Sequence, residues 1–201
     1  MEEQELIIRS LGPELCGDWL EYFEKTAFED HSDWGFCYCL EGHLDPETQI
    51  SWTNPEERRE KAIEMIQAGE MQGYLAYEGE RVVGWCNVND RENYRYVTEM
   101  FRKAGYHGKE APGEKVKAVF CFLIAPEYRG KGVAGRLLER VCRDAARHGY
   151  ALVEVYPFAD EKFEYQYHGT SGMYQRNGFV KVADLNYVKV LQKRLEQGNE
   201  V

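Results

Sequence analysis

Apolar positions change period several times along the chain. Residues 5–9 form a short apolar run suited to a first strand, and over 13–25 Leu15, Trp19, Leu20 and Phe23 recur at helical spacing. Residues 26–54 are irregular and aromatic, with Phe28, Trp34, Phe36, Tyr38 and Trp52. Asn54-Pro55-Glu56-Glu57 then supplies a cap, a first-turn proline and first-turn acids, so a second helix is expected, carrying Ala62, Ile63 and Ile66 inward and stopping at Gly69. Two runs, 73–78 and 81–87, joined by Gly79-Glu80 predict a hairpin. Residues 90–114 are polar, with a helix over 96–103 and a loop marked by Gly105, Gly108, Pro112 and Gly113.

The run 116–124 is almost continuously apolar, as a strand buried on both faces requires. From Gly132 a long amphipathic helix follows through Val133, Leu137, Leu138, Val141, Cys142, Ala145 and Ala146, closed by His148 and Gly149. Residues 151–155 are a second buried strand, 170–177 a short helix capped by Gly178, and 179–190 the last strand region before a charged tail. The predicted order is β-α-α-β-β-β-α-β-α-β. The strand–helix–strand unit over 116–155 is a crossover, which makes its two strands parallel.

At 201 residues this is one domain, long enough to bury a core without staples. The net charge of −10 excludes a nucleic-acid grip or an anionic membrane surface as an expected role. The charge is uneven. Residues 1–80 hold 20 acids against 5 bases, whereas 81–201 hold 15 against 20. No basic, apolar leader and no run of about 20 apolar residues is present, so a cytoplasmic protein with reduced thiols is expected. Cys37-Tyr38-Cys39 lies between His31 and His43, but this is not the spacing of a zinc site, and no metal is expected.

The chemistry concentrates in Ile124-Ala125-Pro126-Glu127-Tyr128-Arg129-Gly130-Lys131-Gly132-Val133-Ala134-Gly135. A buried strand runs into a glycine turn and then a helix. Glycines allow close backbone approach, and the helix start offers unpaired N–H groups, so the segment is suited to phosphate. It is neither a Walker A loop nor the dinucleotide fingerprint. Arg129-x-x-Gly132-x-Ala134 resembles the pyrophosphate loop of the GNAT superfamily of acyl-CoA-dependent N-acyltransferases. A second match lies about forty residues on, where Tyr174 on a short helix precedes Gly178-Phe179. Many members carry Asn seven residues before that Tyr, where this chain has Tyr167.

The resemblance implies an α/β (α+β) domain: a mixed, mostly antiparallel twisted sheet with a central, splayed parallel strand pair, flanked by helices. One domain spans 1–201, with acceptor-side helices and loop in 10–70 and an acetyl-CoA core in 71–190. It further implies that backbone groups of Phe122, Leu123 and Ile124 pair with pantetheine. The segment Arg129, Gly130, Lys131, Gly132, Val133, Ala134 and Gly135, with Ser171, would hold the rest of acetyl-CoA. Tyr174 stands at the family's acid position and would protonate the leaving thiolate. Glu154, the one acid in 151–155, is expected to act as base or to bind the substrate ammonium, with His168 as a second candidate base.

Trp34, Phe36, Tyr38 and Trp52 are expected to wall the acceptor side, with Glu29, Asp30, Asp33 and Glu41 favouring a cation. The expected partner is a small-molecule primary amine, and the chain would act as a monomer or homodimer. The alternatives are acetylation of a protein N-terminus or lysine, and a non-catalytic acyl-CoA-binding domain.

Overall fold

The computed structural model describes residues 6–44, 54–160, 162 and 167–196; Trp52 lies outside them. Seven strands form one sheet: β1 (Leu6–Ser10), β2 (Gly73–Glu78), β3 (Arg81–Asp90), β4 (Val116–Ile124), β5 (Leu152–Val155), β6 (Val180–Asp184) and β7 (Lys189–Arg194). Their spatial order is β1-β2-β3-β4-β5-β7-β6. Only β4 and β5 are parallel; every other neighbouring pair is antiparallel. The helices are α1 (Cys16–Lys25), α2 (Pro55–Gln67), α3 (Arg95–Lys103), α4 (Val133–Arg147) and α5 (Ser171–Arg176).

Local signals operate as expected at α2, where the Asn54 side chain accepts from the Glu57 N–H and Pro55 opens the helix. The final segment differs from the expectation of one strand followed by a loose tail. Asn186, in the left-handed region at φ 68°, sits in the connection between β6 and β7. The segment 189–194 lies inside the sheet, paired along β5.

The sheet is covered on both faces. Side chains of β4 alternate: Val119 and Phe122 pack with Leu137, Leu138 and Val141 of α4. Cys121 and Leu123 pack with Trp19 and Phe23 of α1 and Ile66 of α2, and Ala118 with Phe101 of α3. Trp19 and Trp85 are fully buried and meet edge to face at 6.0 Å.

One irregularity shapes the centre. Asn87 pairs with Cys121 but Val88 with Val119, so Phe120 is an extra residue on β4. Such a bulge re-aims side chains and bends the strand. Here it puts Phe120 and Cys121 on the same face. The β4–β5 ladder ends one residue earlier, at Val119 opposite Val155, and the rest of β4 diverges from β5.

Candidate active site

Divergence of β4 from β5 opens two cavities, one on each side of the sheet. The first, about 610 Å³, is lined by Phe122 and Ile124, by the glycine turn and start of α4, and by Gly169, Thr170, Met173, Arg176 and Asn177. Gly130 and Gly132 have φ of +74° and +83°, and Lys131 between them does not. No side chain caps α4, so its first-turn N–H groups are left for a ligand. A Cβ built on Gly130, Gly132 or Gly135 would meet no protein atom within 4 Å. The open space above these glycines fits a pyrophosphate.

Arg129, Gly130, Gly132, Val133, Ala134 and Gly135 line this cleft, as do Phe122 and Ile124. Three other candidates are placed differently. The Leu123 peptide faces β3, because the Ala125 N–H two residues on donates to Val83 and Leu123 stands opposite Trp85. Its carbonyl also accepts the Tyr22 hydroxyl at 2.8 Å. Lys131 lies outside the lining, with Nζ 5.3 Å from the Tyr128 ring centre. Ser171 is buried, outside the lining, with its Oγ unpartnered. The edge of β4 is also partly occupied: the Phe122 N–H donates to the Tyr167 carbonyl at 2.6 Å.

The second cavity, about 560 Å³, is lined by Phe28, Trp34, Phe36, Phe120, Leu123 and Phe158, with Asp33, Glu41, three cysteines, Tyr167 and His168. Tyr167 lines both cavities and marks where they meet. Trp34 and Phe36 stand where a wall was expected. Tyr38 does not. It is buried against Phe23, rings 6.1 Å apart and nearly parallel, with its hydroxyl toward Glu24. The cause is the backbone, since Tyr38 and Cys39 are consecutive residues of positive φ and turn the chain there. That turn is pinned by the fully buried Arg58, which donates to the Phe36 and Cys37 carbonyls at 2.9 Å each, and by the Asn87 amide on the Cys39 carbonyl.

Cys37, Cys39 and Cys121 all face the second cavity. A hydrogen bond with Cys39 and burial push the Cys37 thiol well above its usual range, and burial with a bond to Cys121 does the same for Cys39, so both are protonated. The histidines flanking the Cys-Tyr-Cys turn go elsewhere. His31 lines the first cleft, and His43 bonds to Asn87 at 3.2 Å. Among the described residues no group of three such ligands is placed to hold a metal ion.

Two charged candidates are corrected by their partners. Asp30 forms a two-pronged ion pair with Arg129, whose Nε also holds the Ile124 carbonyl. This pair ties the early loop to the phosphate turn and holds the Asp30 carboxyl below its usual range. Asp30 is therefore not part of the acceptor wall. Glu29 is exposed and lines neither cavity, whereas Asp33 and Glu41 line the second.

Glu154 is fully buried but lies outside both cavities. It accepts from the Tyr106 hydroxyl (2.6 Å), the Tyr156 hydroxyl (2.7 Å) and the Gln192 amide (2.6 Å), with Arg91 at 3.7 Å. A carboxylate so satisfied anchors β5, and it stands away from both places where substrates could sit.

Tyr174 also stands away from the cleft lining. It is fully buried between Phe122 and Phe179, and its hydroxyl donates to the His168 carbonyl at 2.7 Å. Burial raises its hydroxyl well above the normal range. Its proton is committed to the backbone. His168 is different. Its ring lies between Phe120 and Phe158, at 4.9 and 4.5 Å, and lines the second cavity. Burial lowers its pKa to about 4, against a bond to the Tyr156 backbone that favours the charged form. Among the described residues Nδ1 has no hydrogen-bond partner.

The sequence reading missed the α5 contribution to the cleft. Ser171 and Tyr174 were the α5 residues expected there, whereas Thr170, Met173 and Asn177, which recur three and four residues apart, line the cleft, and that spacing was available.

A splayed parallel pair above a glycine-rich helix start defines an acyl-CoA-binding α/β domain. Residues 18–179 match the profile of the Acetyltransferase (GNAT) family, and the chain belongs to that family. Similar solved structures share the fold at low identity. They include a GNAT acetyltransferase from Streptococcus pneumoniae (14% identity, TM-score 0.55, 96% of this chain and all of that one). PaiA N-acetyltransferase from Thermoplasma acidophilum in complex with coenzyme A is another (16%, 0.55, 94% and 99%). A third is the polyamine N-acetyltransferase of Drosophila melanogaster (14%, 0.56, 95% and 100%). No curated protein sequence matches the chain significantly. The protein is thus an acetyltransferase that uses acetyl-CoA as co-substrate. Among the described residues no helix is long and apolar enough to cross a membrane.

Proposed function

We propose that this enzyme transfers the acetyl group to the primary amine of a small molecule seated in the second cavity. The observation that carries this reading is the separate aromatic cavity that meets the cofactor cleft at Tyr167. Its size suits a small ligand, and its lining suits an acceptor with an apolar body. Asp33 and Glu41 at its wall favour a cationic end. The like-folded Drosophila enzyme forms N-acetylagmatine, which makes cationic amines the first panel to try. In this reading the first-turn amides of α4 and the glycine turn hold the pyrophosphate, and Phe122 and Ile124 flank the pantetheine arm. The neutral amine attacks the thioester carbonyl directly, and positioning of the two substrates supplies much of the rate.

The test is thiol release from acetyl-CoA over a panel of arylalkylamines, polyamines, aminoglycosides, amino acids and peptides. Arylalkyl or alkyl monoamines and diamines are expected to give the highest kcat/KM. Release with peptides alone would overturn the small-molecule reading in favour of a protein acceptor. Tight acetyl-CoA binding with no release to any amine would favour a binding domain.

A further inference from the structure

Direct transfer leaves one proton to move. The attacking nitrogen must lose it, and the departing CoA sulfur must gain it. The residues first suited to these tasks are unavailable, since Glu154 is anchored away from both cavities and Tyr174 donates to a backbone carbonyl. The Cys37 and Cys39 thiols are protonated and offer no base. Glu41 is shared with Arg58 at 3.6 Å.

We propose that His168 carries this proton, its Nδ1 accepting from the amine nitrogen and returning it to the CoA sulfur. The proposal rests on the amine reading above. Its own grounds are positional. His168 lines the acceptor cavity, its neighbours Tyr167, Gly169 and Thr170 line the cofactor cleft, and Nδ1 is buried with no partner among the described residues. The ring bonds to the Tyr156 backbone, and since Nδ1 makes no such bond we assign that interaction to Nε2–H and the lone pair to Nδ1. The Phe120 bulge matters here, because it turns that ring onto the cavity face beside the imidazole.

The steps balance. The nitrogen lone pair forms the C–N bond as the carbonyl π pair moves to oxygen. The newly bonded nitrogen carries a positive charge and is strongly acidic, so a weak base suffices to remove its proton. The oxyanion re-forms the carbonyl and expels the thiolate with the C–S pair. The imidazolium then gives its proton to that sulfur. A low conjugate pKa makes the last transfer downhill toward a thiol of pKa about 8.5. One residue at the junction serves as base and then acid.

The experiment compares wild type, H168Q and H168N, each checked for acetyl-CoA affinity and thermal unfolding. Glutamine reaches the Nε2 position and keeps a donor for the Tyr156 backbone, and the shorter asparagine is the second variant should glutamine misfold. With an alkylamine the variants are expected to lose about 10²- to 10⁴-fold in kcat. With a fluorinated analogue of the same shape, whose weakly basic nitrogen sheds its proton to water, the loss should shrink to less than about tenfold. Slow hydrolysis of acetyl-CoA without any amine requires the same proton transfer. It should fall in the variants even if the amine reading is wrong. Equal losses with both amines would assign His168 a structural role. Rates within threefold of wild type in both assays, or a collapse in Y167F instead, would overturn the proposal.

Discussion

The Tyr174 hydroxyl and the His168 carbonyl are joined by a 2.7 Å hydrogen bond, and this contact separates two roles that sequence position alone would merge. The tyrosine holds the backbone from behind, and the imidazole on the same residue faces the cavity. Y174F leaves that carbonyl buried and unpaired, a cost of about 1–3 kcal/mol in stability. Acetyl-CoA affinity is expected to stay within a few-fold and kcat to fall less than about tenfold, well below the effect of losing a proton carrier. Steady-state kinetics beside a thermal melt check this. A kcat loss of several hundredfold with unchanged stability would return Tyr174 to the acid role.

Glu154 invites the opposite pattern. Its three donors come from the segment after α3, the residue just past β5, and β7, so the carboxylate ties three parts of the fold together. E154Q must turn an amide N–H₂ toward one of these donors and leaves Arg91 without one of its two carboxylates. The expected loss is about 3 kcal/mol, or roughly 10 °C in Tm. At a temperature where the variant is folded, kcat should stay within about threefold of wild type. A melt and a low-temperature rate separate the two.

Much of this was legible because it is local. The phosphate turn, the α4 stripe and the α2 cap are written in neighbouring residues, and the structure places them there. The surroundings of Glu154 were not legible because its partners Tyr106, Gln192 and Arg91 lie 38 to 63 positions away in the chain. The Phe120 bulge carries no glycine or proline to announce it. Asp30 was placed with the acceptor because the front of the chain is acidic. A pairing with Arg129 across 99 positions could not be seen from charge counts. The β6–β7 hairpin did have a signal, Asn186, a residue type suited to its positive φ.

His43 and His168 are both held neutral by burial, each with its pKa lowered to about 4. Between that value and the unfolded value near 6.5 the unfolded chain binds protons that the folded one does not, so stability rises with pH across this window. On acidification, stability is therefore lost from about pH 6.5 down to about pH 4. Each accounts for at most about 3 kcal/mol. Urea melts at stepped pH should show this fall, and H43Q should flatten it by about half. A midpoint unchanged between pH 7 and pH 4.5 would show that neither imidazole is buried as described.

Gly135 gives the sharpest separation of fold from function. It lies in the first turn of α4 with ordinary helical φ, and a Cβ there would touch no protein atom within 4 Å. In the free enzyme, alanine should therefore be neutral or stabilising by about 0.5 kcal/mol, since glycine is the poorer helix former. The same methyl would stand in the cleft where the pyrophosphate meets the helix start. G135A is thus expected to raise Tm slightly while weakening acetyl-CoA at least tenfold, with the acceptor KM little changed. Differential scanning fluorimetry with and without acetyl-CoA reads both effects in one experiment. The variant's Tm should exceed wild type without ligand and fall below it at moderate acetyl-CoA, because the ligand-linked shift depends on Kd. Equal ligand-induced shifts in the two proteins would mean that the phosphates bind away from this turn.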